Sequence, residues 1–146
     1  MLNEAKSRKA GKPIEKKVVI NAPVNKIWKA LTESDKIEQW MLMSNTFKPV
    51  LNNQFVFKGE MNGNKFDIKC KVLEMEENKK LVYSWSGPFF EGSTIVSIQL
   101  KGNKGGTELT LIHSGWAENQ KDVRESHSKG WDERFVEKLK EVIEQN

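Results

Sequence analysis

Between Gln54 and Ser114 the apolar residues of this chain fall on every second position, and from Lys121 onward they fall on every third or fourth. That switch of period constrains the fold more than any other feature of the sequence. A period of two sends successive side chains to opposite faces of a strand, so the central stretch reads as strands with one apolar and one wet face. A period near 3.6 puts the closing stretch on a helix with a single apolar stripe. Neither surface is stable in water by itself, and each is the natural cover for the other.

Turn residues divide the central stretch into QFVFKGE (54–60), KFDIKCKVLEME (65–76), KLVYSWS (80–86), STIVSIQL (93–100) and TELTLIHS (107–114). The breaks fall at Asn62-Gly63-Asn64, at Glu77-Asn78 and from Gly102 to Gly106. Connections this short join antiparallel neighbours, so the segments form a meander. In the second segment Phe66, Ile68, Cys70 and Val72 alternate with Asp67, Lys69 and Lys71. The inward phase then passes to Leu73 and Met75, the mark of a β-bulge.

Ahead of the meander, IEKKVVINAP (14–23) reads as a strand that stops at Pro23. Pro23 suits the first turn of a helix, and Val24, Ile27, Trp28 and Leu31 recur at helical spacing as far as Thr32. Ser34 or Asp35 is placed to cap a second short helix carrying Ile37, Trp40 and Met41. In the closing segment Val123, His127, Trp131, Phe135, Leu139 and then Val142 or Ile143 make one stripe. The pattern therefore predicts an α+β fold: a strand, two short helices, an antiparallel sheet, and a long C-terminal helix laid on the sheet's apolar face.

The charge is confined to one end. Residues 1–17 hold six of the 24 Lys and Arg but only two of the 20 Asp and Glu, so the remainder of the chain is balanced at 18 of each. Residues 1–13 are expected to be a disordered basic leader and residues 14–146 the folded domain. A balanced folded part has no basic face for phosphates, which argues against nucleic acid as a partner. No apolar run reaches the roughly 20 residues that cross a bilayer, and the first residues have no secretory pattern, so a cytoplasmic protein without a membrane span is expected. The single cysteine, Cys70, cannot form an internal disulfide and reads as a small core residue.

Ile20-Asn21-Ala22-Pro23, then Ile27-Trp28-Lys29-Ala30-Leu31-Thr32 and Trp40, resemble the N-terminal signature of the Aha1-like branch of the START-related, helix-grip superfamily. GTELTLIHSGW (106–116), Gly130-Trp131 and the spaced Phe135 and Leu139 resemble its C-terminal signature. The chain departs from the pattern at Met41, where many relatives carry a second aromatic, and in its VIEQN ending. The resemblance implies a strongly curved antiparallel sheet gripping the C-terminal helix, with a cavity between them. It implies no reaction type, because the superfamily includes ligand carriers, hormone receptors, cyclases and hydrolases.

With that architecture, period and face assign Trp40, Phe57, Trp85, His113, His127 and Trp131 to one ligand-binding wall. His113 ends a strand that carries Leu109 and Leu111 on the same face, and His127 lies one turn before Trp131. The two imidazoles are either satisfied by neighbouring groups or serve as polar anchors for a ligand. Zinc would need further ligands at suitable spacing, and neither G-x-S-x-G nor an activated thiol is present, so no metal, cofactor or catalytic residue is assigned. Binding of a small hydrophobic or amphipathic molecule is the expected function. One alternative is an enzyme of the same fold, of hydrolase or cyclase type, with a cavity histidine as general base. Another is an Hsp90-related co-chaperone or interaction domain, whose partner is a protein or a second copy of the chain.

Overall fold

The computed structural model describes residues 10–145. Its strands are β1 (Ile14–Ile20), β2 (Ser44–Asn45), β3 (Gln54–Met61), β4 (Asn64–Glu76), β5 (Lys80–Ser86), β6 (Thr94–Asn103) and β7 (Gly106–Ser114). They pair antiparallel in one sheet of order β1-β7-β6-β5-β4-β3-β2. Two helices, α1 (Val24–Thr32) and α2 (Ser34–Met41), carry the chain from β1 at one edge to β2 at the other. The closing helix runs through α3 (Lys121–Trp131), a π-helical stretch (Asp132–Lys138) and α4 (Leu139–Gln145). The sheet curls into a half-barrel around this helix, the α+β helix-grip architecture expected from the change of period. No helix among the described residues is long and apolar enough to cross a membrane.

Local chemistry explains the turns. Asn62 and Gly63 both have positive φ, 53° and 82°, which is the two-residue hairpin whose twist matches its strands. The β6–β7 hairpin is tighter than the sequence predicts, because β7 begins at Gly106. A Cβ there would lie 2.2 Å from the carbonyl oxygen of Ile20, so only glycine lets β7 start against the end of β1. The bulge in β4 is present, as a register shift between Val72 and Glu74. Leu73 is its extra residue and is 37% exposed, so the inward phase passes from Val72 to Met75 and not to Leu73.

Two helix starts also differ from expectation. Pro23 stands at the cap position just before α1, with its carbonyl accepting from the amides of Lys26 and Ile27. The cap of α2 is Glu33, whose carbonyl accepts from Lys36 and Ile37. Ser34 is the first helical residue, and its hydroxyl donates to Asn45 Oδ1 at 2.8 Å, tying α2 to the edge strand β2. A serine reads as a cap by propensity, but here a tertiary acceptor outcompetes the local backbone.

In the closing helix the apolar residues recur at a spacing of four. In a straight α-helix such a stripe drifts by about 40° at each step, enough to turn away from a sheet within a few turns. The π-helical stretch counters this. Leu139 donates its N–H to the carbonyl of Arg134, five residues back, and the wider turn rotates less per residue. Trp131, Phe135, Leu139 and Ile143 are all buried against the sheet as a result. Of the two alternatives at the end of the stripe, Ile143 is the buried one.

The same helix also holds the outer side of β1. Lys140 Nζ donates to the carbonyl of Val19 at 2.7 Å, and Glu144 accepts from the amide of Asn21 at 2.8 Å. Arg124 donates to the carbonyls of Lys12 and Pro13 at 2.6 and 3.0 Å. Of the leader expected at 1–13, residues 1–9 lie outside the described residues. Residues 10–13 run beside the loop after β7, where Ala10 bridges Ala117 and Gly11 donates to the carbonyl of Trp116 at 2.7 Å.

Candidate functional site

Trp85 near the end of β5 and Trp131 at the end of α3 face each other with ring centroids 5.4 Å apart. His113 on β7 and His127 on α3 stand beside them, their imidazole centroids 5.6 Å apart. Each indole donates to one imidazole: Trp131 Nε1–H to His113 Nδ1 at 3.0 Å, and Trp85 Nε1–H to His127 Nε2 at 3.2 Å. An indole can only donate, so both of those ring nitrogens are unprotonated acceptors. The proton of neutral His113 is therefore on Nε2, and it donates to Thr94 Oγ1 at 2.7 Å. The Thr94 hydroxyl in turn donates a hydrogen bond to the carbonyl of Trp85 at 2.8 Å. The proton of His127 is on Nδ1 and donates to the carbonyl of Val123 at 2.8 Å. Trp116 completes the cluster by donating to the carbonyl of His113 at 3.1 Å.

Burial, with a smaller contribution from His127, holds the pKa of His113 down to about 3. The pKa of His127 is also lowered, chiefly by burial; the Val123 carbonyl opposes that shift and the Arg134 guanidinium adds to it. Both rings are neutral near neutral pH, and all four ring nitrogens have partners. A general base needs a lone pair aimed at substrate, and each of these rings spends its lone pair on a tryptophan. As arranged, the pair ties the closing helix to the sheet. Cys70 is equally committed: it is buried, burial pushes its thiol well above the usual range, and it has no thiolate to offer.

Beside the cluster, between the closing helix and the β3–β5 side of the sheet, lies a cavity of about 350 Å³. Phe66, Ile68 and Trp85 line it from the sheet, while Val123, His127, Gly130, Trp131 and Arg134 line it from the helix. Met41 and Met43 form a further wall from the segment that ends α2, whose last turn is closed by Leu42 in the left-handed conformation at φ 60°. Met61 and Phe89 stand at the rim, 53% and 54% exposed.

Of the six residues expected on one wall, Trp85, His127 and Trp131 line this cavity. Trp40, Phe57 and His113 do not reach it. Trp40 donates to the carbonyl of Ala30 at 2.9 Å and meets Phe135 edge to face. Phe57 packs beside Tyr83 and Trp85, and His113 is fully buried among Trp85, Trp116 and Trp131. All three share the inward face assigned by periodicity, but they sit in the layer behind the cavity wall. Met41, Met43, Met61, Phe66, Phe89 and Arg134 are lining residues that periodicity and face did not assign to the ligand wall. For Arg134 a signal was present: it lies four residues after Gly130 and seven after His127, on the same side of the helix.

The model of the family described as Activator of Hsp90 ATPase homolog 1-like protein matches residues 21–144 of this chain. None of the curated proteins matches it. The crystal structure of a Mesorhizobium loti protein is similar, with 32% identity, a TM-score of 0.81, and coverage of 92% of this chain and 98% of the other. A solution structure of a Bacillus halodurans protein has 26% identity and a TM-score of 0.76, covering 92% and 99%. A Cytophaga hutchinsonii protein has 26% identity and a TM-score of 0.72, covering 94% and 97%.

Proposed function

The chain belongs to the Activator of Hsp90 ATPase homolog 1-like family, and on that premise we propose that it binds a small hydrophobic or amphipathic molecule in the cavity between the sheet and the C-terminal helix. The observation that carries this reading is the makeup of that cavity. Its volume of about 350 Å³ lies within the roughly 300–1,000 Å³ of small-molecule sites. Its walls are three methionines, aromatic rings and aliphatic side chains, with few polar groups among them. Methionine is unbranched and polarizable, so such walls adapt to the outline of an apolar guest. Catalysis by His113 or His127 would require an imidazole to release an indole first, and the binding reading needs no such rearrangement.

Two of the five tryptophans line the cavity and supply the readout. A panel of apolar and amphipathic molecules is titrated while tryptophan emission and melting temperature are followed. Ligands that raise the melting temperature should shift the emission of the parent, and that shift should vanish in the Trp85→Phe, Trp131→Phe double variant. A stabilising ligand with the same emission response in both proteins would place binding elsewhere. Mass spectrometry of small molecules extracted from the purified protein identifies the natural guest.

A further inference from the structure

We propose that Arg134 is an anion anchor and that the cavity takes an amphipathic monocarboxylate, its apolar body against the methionine and aromatic walls and its carboxylate on the guanidinium. The proposal rests on the cavity-binding reading above and adds the chemical class of the ligand.

Four observations converge on it. Arg134 is in the cavity wall, and no other lining residue carries a formal charge, His127 being neutral. Its Nε is buried and has no hydrogen-bond partner among the described residues, which is rare for a buried donor on a permanently charged group. Among the described residues no ion pair involves Arg134: Asp132 pairs instead with Lys16 at 2.9 Å, Glu141 with Lys138 at 3.8 Å and Glu144 with Lys140 at 2.9 Å. Finally, Gly130 clears the guanidinium's position. A Cβ on Gly130 would come within 3.1 Å of Nη1, so the side chain folds back over the preceding turn, the direction long helical side chains favour.

A guanidinium in an apolar wall without a counter-ion is electrostatically incomplete. A carboxylate completes it best, since its two oxygens match the planar fork of donors. One positive charge balances one negative charge, so a dianionic phosphate would leave a charge uncompensated among methionines and aromatic rings. A neutral ligand would leave the donors as they are.

The test uses decanoate and decanol, which share a chain and differ in the headgroup, with affinities measured by calorimetry below the micellar range. The parent should bind decanoate roughly 10- to 100-fold more tightly than decanol, the range expected of a charged hydrogen bond. Arg134→Met should bring the two ligands to near parity while decanol affinity is kept, and Arg134→Gln serves if the methionine variant folds poorly. Lys129→Gln removes the same charge from an exposed position of α3 and should leave the preference intact. Parity in the parent, a preference that survives the loss of Arg134, or one lost equally with Lys129 would overturn the anchor while leaving the cavity reading standing on decanol. Failure of both ligands to bind the parent would overturn both.

Discussion

Each imidazole in the cluster accepts a hydrogen bond from a tryptophan and donates one to an oxygen, so protonating either ring breaks a bond that joins helix to sheet. The pH dependence follows in sign. Both histidines have lowered pKa values in the folded state, so below the ordinary value near 6.5 the unfolded chain takes up protons first. Stability is then full above that value and is lost as pH falls toward the folded value of His113, about 3. For His113 the loss approaches about 1.4 kcal/mol per pH unit once well below 6.5, and His127 adds to it with the same sign. The chain has only these two histidines, so the interval above the carboxylate range belongs to them. Urea midpoints should fall between about pH 7 and 5.5 in the parent and fall less steeply in His113→Gln; a flat profile in the parent would refute the assignment. That the histidines belong to facing elements was legible, since His113 ends an alternating strand and His127 sits in a helical stripe. Their pairing with Trp131 and Trp85 was not, because it depends on how far the sheet curls.

The closing helix keeps its stripe on the sheet only because its pitch loosens in the middle. Phe135, inside that stretch, and Leu139, just after it, are wholly buried. Phe135→Ala should cost about 3–5 kcal/mol and Leu139→Ala about 2–5 kcal/mol, read from urea unfolding. Unchanged midpoints would mean that the stripe faces solvent. A gain is available at the end of α2, where Leu42 is 61% exposed and held at φ 60°, a region costly for a residue with a Cβ. Leu42→Gly should raise stability by about 1 kcal/mol, and a loss would show that the leucine side chain does more than close the helix. At this scale most of the architecture was legible: the order of elements, the meander, the bulge near Leu73 and the Asn62-Gly63 turn all carry local signals. The two-residue strand β2 and the π-helical stretch carry none. The first exists because Asn45 and Ser34 bond each other across space, and the second because the helix must follow the face of the sheet.

For the molecule as a whole, the cavity is the space left where the curled sheet and the closing helix fail to meet, and no residue pattern encodes a void. Periodicity could say which side chains point inward but not which of them touch one another and which border the gap. Trp40, Phe57 and His113 therefore joined Trp85, His127 and Trp131 in the reading, although depth separates them in the fold. The side chains that the closing helix sends to β1 have a different consequence. The outward carbonyls of Lys12, Pro13 and Val19 and the amide of Asn21 are already bonded to Arg124, Lys140 and Glu144. An incoming strand from another molecule finds those pairing positions taken, and at the opposite edge it finds a strand of only two residues. Long, unguarded edges are where sheets template fibrils. In this chain the helix that fills the concave face also occupies both ends of the β1 edge, and leaves a neighbouring molecule only the middle of that strand to pair with.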